Sequence, residues 1–190
     1  MPRVGLTPAG VVDHAVELID AQGPDALTLA SVAARAGVAT PSLYKHVPGG
    51  LAELRRLVAV RVTEELAERL AAAVRGLGRD SAATALLGAY LDYADRYPRR
   101  YAALPQAPQD DPELTAAAAR LVGVILTVLD GYGLTGEEAV HAARAVRSTA
   151  HGFASLAAAG AFRLSAELTV TRERLIGVVV EGLRNWPTGG

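Results

Sequence analysis

The sequence predicts an all-α protein of about nine helices, with a three-helix head followed by a larger antiparallel helical bundle. Three observations predict it. Alanine, the best helix former, supplies 38 of the 190 residues. The period-two alternation of β-branched residues that marks strands is scarce throughout. Apolar residues instead recur at helical spacing between recognisable starts and stops. With 51% hydrophobic and 21% charged residues the chain can bury a core, which excludes wholesale disorder.

Thr7-Pro8 reads as an N-cap with proline in the first turn. Val11, Val12, Ala15, Leu18 and Ile19 then keep helical register until Gly23-Pro24. A short helix is expected from about 29 to 36, ended by Gly37. Thr40-Pro41 reads as a second cap and opens a brief helix closed by Pro48-Gly49-Gly50. Leu54, Val58, Val62, Leu66 and Leu70, four residues apart, mark a longer helix over about 51–75. Further helices are expected over about 81–97, 112–129, 136–159 and 171–186, separated by Tyr97-Pro98, the 105–112 loop, Gly131 to Gly133, and Gly160. The change in helix length near residue 50 divides a head, 1–50, from a body, 51–190.

The segment from Thr28 to Val47 has the spacing of a helix-turn-helix. Two helices crossing steeply need a small residue at their contact, and Ala33 supplies it. The sharp turn favours a left-handed residue, which Gly37 adopts cheaply. Leu43, six residues on, plugs the second helix into the core. Thr40, Ser42, Lys45 and His46 are then left facing outward, with Tyr44 at the edge. These side chains can hydrogen-bond and none is a carboxylate, as a surface facing phosphates and bases requires. Between 28 and 61 lie five cations (Arg35, Lys45, Arg55, Arg56, Arg61) and one acid, Glu53, in a chain whose net charge is −1. A basic head on an acidic body is the electrostatic footprint of a DNA-binding module. The alternative is a small helical subdomain whose Ala/Gly spacing is coincidental.

Residues 7 to about 66 resemble the DNA-binding head of the TetR family of transcriptional regulators. The likeness runs through Leu27-Thr28, Val32-Ala33, Ala36-Gly37-Val38 and Leu43-Tyr44-Lys45-His46 to Leu54. It implies that Tyr44 and His46 hold DNA phosphates and that neighbouring residues of the third helix reach base edges. Thr28, Thr40, Pro41, Ser42, Tyr44, Lys45, His46 and Gly50 are the DNA-contacting candidates. Two departures stand out. Val47 replaces the family's usual phenylalanine. Gly49-Gly50 occupies the place of a phosphate-binding lysine, leaving backbone N–H groups of the helix start to take that role and shifting weight to Lys45, Arg55 and Arg56.

For the body, the resemblance implies an effector pocket and a homodimer built by the last two helices. The stretch from His151 to Gly160 is nearly stripped of bulk, and the final helix carries a wide apolar stripe. Phe153, Leu156, Leu175, Val178, Val179, Gly182 and Leu183 are the dimer candidates. Tyr90, Tyr93 and Tyr97 at helical spacing, with Arg147 and His151 one turn apart, are the ligand candidates; each is also compatible with an ordinary core. The implied partners are a palindromic double-stranded operator, a small-molecule effector and a second copy of the chain.

Other classes find little footing. Without cysteine there are no disulfides, thiolate zinc sites or cysteine nucleophiles. His141 and His151 lack a carboxylate at ligand spacing, so no metal or other cofactor is expected. No Gly-rich phosphate loop or nucleophile–base pair suggests an enzyme. The longest stretch free of formal charge, 148–162, is shorter than the roughly 20 residues of a membrane span. Met1 to Gly5 shows no secretory pattern, so a cytoplasmic protein is expected. The runner-up reading is a helical small-molecule-binding or interaction protein that has lost specific DNA binding.

Overall fold

The computed structural model describes residues 6–105 and 110–187. The N-terminal pentapeptide and the middle of the 105–112 loop lie outside the described residues. Nine α-helices occur among those described: α1 (Pro8–Gln22), α2 (Leu29–Ala36), α3 (Thr40–Leu43), α4 (Gly50–Val74), α5 (Arg79–Arg96), α6 (Pro98–Tyr101), α7 (Pro112–Asp130), α8 (Gly136–Ala158) and α9 (Leu168–Arg184). A 3-10 turn, Pro24–Ala26, links α1 to α2.

Local chemistry sets most boundaries. The Thr7 hydroxyl accepts the Gly10 N–H at 3.0 Å, with Pro8 in the first turn. Thr28 and Ser31 cap α2 reciprocally, each side chain accepting the other's backbone N–H at 3.0 Å. Gly37 ends α2 at φ +68°, in the left-handed region. Three expectations need correction. The cap of α3 is Ala39, without a side-chain bond, and Thr40 is already helical. The α9 helix starts at Leu168, three residues earlier than expected: Leu168, Thr169 and Val170 are already helical. And Tyr97-Pro98, read as a plain break, starts α6: proline fits the first turn of a helix, where its missing N–H costs nothing.

The chain divides into two compact units. The first comprises residues 1–65 and 97–117, in which α1 packs on α2 and α6, and α2 on α3. Val11, Ala15, Val32, Leu43, Val47, Leu54 and Val58 form its core, each at most 2% exposed. Charged side chains bind its helices together. Arg100 of α6 reaches Asp20 of α1 with Nε at 3.1 Å and Glu65 of α4 with Nη1 at 2.6 Å. Arg99 donates to the carbonyls of Asp20 and Ala21 at the end of α1, the natural place for a cation.

The second unit comprises residues 66–96 and 118–190, in which α5 lies against α8 and α9. Asp80, in the first turn of α5, accepts from the Tyr132 hydroxyl at 2.9 Å and from Arg184 Nη2 of α9 at 2.7 Å. Trp186 Nε1 donates to Glu138 of α8 at 2.7 Å. By length and composition, α7 is the one described helix that could cross a membrane, with mean hydropathy 1.6 over its apolar window. It also carries Glu113 and Arg120, and packs Ile125, Val128 and Leu129 inside the protein.

Candidate nucleic-acid interface and ligand cleft

The helix-turn-helix is fixed from within. Leu43 and Val47, both fully buried, anchor α3 and the turn after it, so the smaller Val47 still serves as a core plug. His46 N–H and Val47 N–H both bond the Leu43 carbonyl, at 2.8 and 2.9 Å, so the backbone keeps turning past the helix end. Opposite this anchor, Tyr44 is 51% exposed, Lys45 is exposed, and Thr40, Ser42 and His46 are half-buried. Pro41 is exposed at the start of α3. Thr28 is exposed too, but its hydroxyl serves the α2 cap and bonds Ser31 Oγ at 2.8 Å.

Gly50 has a different role from the one the sequence suggested. Its N–H bonds the Val47 carbonyl at 2.9 Å, and the Gly49 N–H bonds the Glu53 carboxylate at 2.6 Å. Neither amide is bare for a phosphate, and Glu53 places a negative charge beside them. Gly50 sits at φ +67°, with the Tyr44 ring 3.7 Å and Leu29 Cδ1 3.9 Å from where a Cβ would lie. Glycine is there for the backbone turn that brings α4 under Tyr44.

The positive charge is also narrower than its residue count. Arg35 Nε bonds Glu17 at 2.9 Å, and Arg61 lies 3.5 Å from Asp13. Arg56 sits between Asp111 and Glu113 at 3.1 and 2.8 Å, so it is not the spare phosphate ligand the sequence offered. Asp111 simultaneously accepts the Leu114 N–H at 2.7 Å as a cap for α7. The Arg35 bond holds the Glu17 carboxyl below its ordinary value. Across the whole unit ten acids outnumber eight bases, since Asp13, Glu17, Asp111 and Glu113 lie outside the 28–61 window. Lys45 and Arg55 are the exposed cations of this segment that have no ion pair or hydrogen bond among the described residues.

The second unit holds a cleft lined by Leu70 of α4, Leu86, Leu87 and Tyr90 of α5, Ile125 of α7, and Val146, Arg147 and Ala150 of α8. It measures about 220 Å³ counted to its open mouth, of which about 10 Å³ admits the centre of a water molecule. Of the five ligand candidates, Tyr90 and Arg147 line it. Tyr93 is core, its ring under the Arg69 guanidinium at 5.5 Å. Tyr97 belongs to the first unit, where Arg100 covers its ring at 4.6 Å. His151 lies 3.3 Å from Ser155 Oγ on its own helix.

The dimer candidates separate likewise. Val178 is 69% exposed, and Leu156 and Gly182 are exposed; Leu175, Val179 and Phe153 are half-buried, Phe153 against the Phe162 ring at 5.3 Å. Leu183 is a correction: it turns inward with Val180 and is buried within the single chain.

An anchored helix with a polar, carboxylate-free outer face, carried on a helical body, defines a helix-turn-helix protein. The comparisons with known proteins agree. The family model described as bacterial regulatory proteins, tetR family, matches residues 11–48, and that of the tetracyclin repressor-like C-terminal domain matches 83–179. The HTH-type transcriptional regulator Rv0681 of Mycobacterium tuberculosis is 39% identical over 82% of this chain and 72% of its own. YobS of Bacillus subtilis, also an HTH-type transcriptional regulator, is 33% identical over 96% and 95%. Among solved structures, a Rhodococcus protein of unknown function superposes with a TM-score of 0.82 at 21% identity, covering 96% of this chain and 97% of that one. A TetR variant from Acinetobacter baumannii, solved with minocycline, gives 0.73 at 19%, covering 97% and 100%. The chain belongs to the TetR family of helix-turn-helix, DNA-binding transcriptional regulators.

Proposed function

We propose that this regulator is a cytoplasmic homodimeric repressor, released from a palindromic operator by a small molecule. Residues 1–50 are the DNA-reading head, and 51–190 the regulatory and dimerising body. The observation that carries this reading is the face of α3 and its following turn. There the side chains of Tyr44, Lys45 and His46 have no hydrogen-bond or ion-pair partner among the described residues, beside Thr40 and Ser42. In a dimer, two such faces read two half-sites related by a two-fold axis. The exposed apolar residues of α8 and α9 support self-association. The repressor assignment is supported by the Streptomyces coeruleorubidus repressor DrrR1, 36% identical over 74% of this chain and half of its own length.

Release requires that the effector prefer a dimer whose heads no longer match the half-site spacing; binding both states equally would shift nothing. Selection of bound sequences from random duplex DNA tests the reading. An inverted repeat is the expected product. Retention of DNA without sequence enrichment, or none at all, would instead favour a protein that has lost specific binding.

A further inference from the structure

Glu53 is the one acid between 28 and 61, and its side chain is half-buried rather than free in solvent. The carboxylate folds back over the first turn of α4 and accepts the Gly49 N–H at 2.6 Å. The fit is close: a Cβ on Gly49 would lie 3.0 Å from Glu53 Cβ and 3.1 Å from its Oε2. At the next residue, a Cβ on Gly50 would lie 3.7 Å from the Tyr44 ring. One peptide unit thus separates the carboxylate's anchor from the footing of the ring. That puts the charge on the order of 10 Å from Tyr44, about one Debye length at 0.1 M salt. Other acids of this unit, Asp13, Glu17, Asp111 and Glu113, face arginines. Glu53 has no ion pair among the described residues, its partner being an uncharged amide. Its charge stands uncompensated in the segment whose unpaired exposed cations are Lys45 and Arg55.

The geometry points to Glu53 as a brake on DNA binding: its pinned carboxylate opposes the phosphates that Lys45 and Arg55 attract, and lowers affinity for every duplex by a similar factor. This rests on the turn after α3 being part of the DNA-reading face. Repulsion between two unit charges is weak across water at this range, but it acts on several phosphates and in both heads of a dimer. Two competing roles make different demands. A carboxylate that only caps α4 leaves DNA affinity unchanged when an amide replaces it. A carboxylate that accepts from a cytosine amino group favours one base, so its loss relaxes sequence preference.

Binding of the full chain to a selected operator and to a random duplex of equal length, across salt concentrations, separates the three. Glu53→Gln keeps an oxygen for the Gly49 N–H and removes the charge. It should raise affinity for both duplexes about threefold to tenfold at low salt, with their ratio held within about twofold. The gain should shrink as salt rises and the Debye length shortens, and the melting temperature should not change. Asp130→Asn makes the same change in net charge at an exposed site of the second unit. It should shift affinity less than about 1.5-fold. Unchanged affinity for Glu53→Gln, an equal gain for Asp130→Asn, or a loss confined to the operator would each overturn the brake and leave the DNA-reading face standing. If the unaltered protein retains neither duplex at low salt, the DNA-reading face falls and the brake with it.

Discussion

The two units leave different chemistry unsatisfied at their surfaces. In the first, Tyr44 is the one large hydrophobic exposed among the described residues, and most cations are answered by carboxylates of the same unit. In the second, ten large hydrophobics remain exposed, from Leu77 to Val178, several of them on α8 and α9. A surface short of apolar patches but holding an unpaired lysine and tyrosine is completed by a polar, anionic partner. A surface with many exposed apolar residues is completed by another apolar surface. On the proposed reading, the difference assigns DNA and a second copy of the chain to separate units with opposite physical demands.

The sharpest way to break that contrast is to charge the apolar surface. Val178→Arg appears twice in a two-fold interface, facing its own copy. We expect self-association to weaken at least about 100-fold, roughly 3 kcal/mol, as read by light scattering. The helix content of the single chain should persist, because Val178 is 69% exposed there. An intact dimer would move the interface away from α9.

The next effect is on the head alone. Leu43→Ala removes a fully buried plug, and large-to-small core changes cost about 2–5 kcal/mol. Operator binding should vanish and the first unit should melt earlier, as hydrogen exchange would show, while amides of α5 and α8 keep their protection. Uniform loss of protection in both units would contradict their independence.

A smaller effect, confined to the second unit, is pH-dependent. The Arg184 bond, helped by the Tyr132 hydroxyl, holds the Asp80 carboxyl below its usual 3.8. A depressed carboxyl stabilises the fold above its unfolded value, and that contribution is lost as the pH falls through the folded value. Asp80→Asn should therefore lower the melting temperature near neutral pH, and the gap from the unaltered protein should close below about pH 3.8. A gap that does not change with pH would mean that the ion pair contributes nothing there.

Local signals made much of this legible in the sequence. Thr7 and Gly37 mark helix ends through bonds to residues three or four positions away, and both behave as such signals imply; the capping role of Thr28, read as a DNA-contacting candidate, was not legible. Leu43 follows from the helix-turn-helix spacing, and Val47 from the family resemblance. What the sequence hid are pairings across long separations. Arg56 meets Asp111 and Arg100 meets Asp20, 55 and 80 residues apart, so counting charges in a window overstated the head's positive surface. The tyrosines failed for a related reason. Spacing places Tyr90, Tyr93 and Tyr97 on one side of a helix, but the neighbouring helices decide which one borders a cleft. The same holds for α9, where Leu183 looked like its outward neighbours and is inward.

The central claim is that, of the five cations in the helix-turn-helix segment, Lys45 and Arg55 are the ones available to DNA phosphates. Binding to a selected operator across salt concentrations tests it most directly, because each phosphate contact contributes about 0.9 to the log–log slope. Lys45→Ala should reduce that slope by about one per subunit, about two per dimer. Arg55→Ala should lower it in the same direction, while Arg35→Ala and Arg56→Ala, whose charges are already answered by Glu17, Asp111 and Glu113, should leave it within about half a unit. A slope that falls for Arg35→Ala or Arg56→Ala but not for Lys45→Ala would contradict the account.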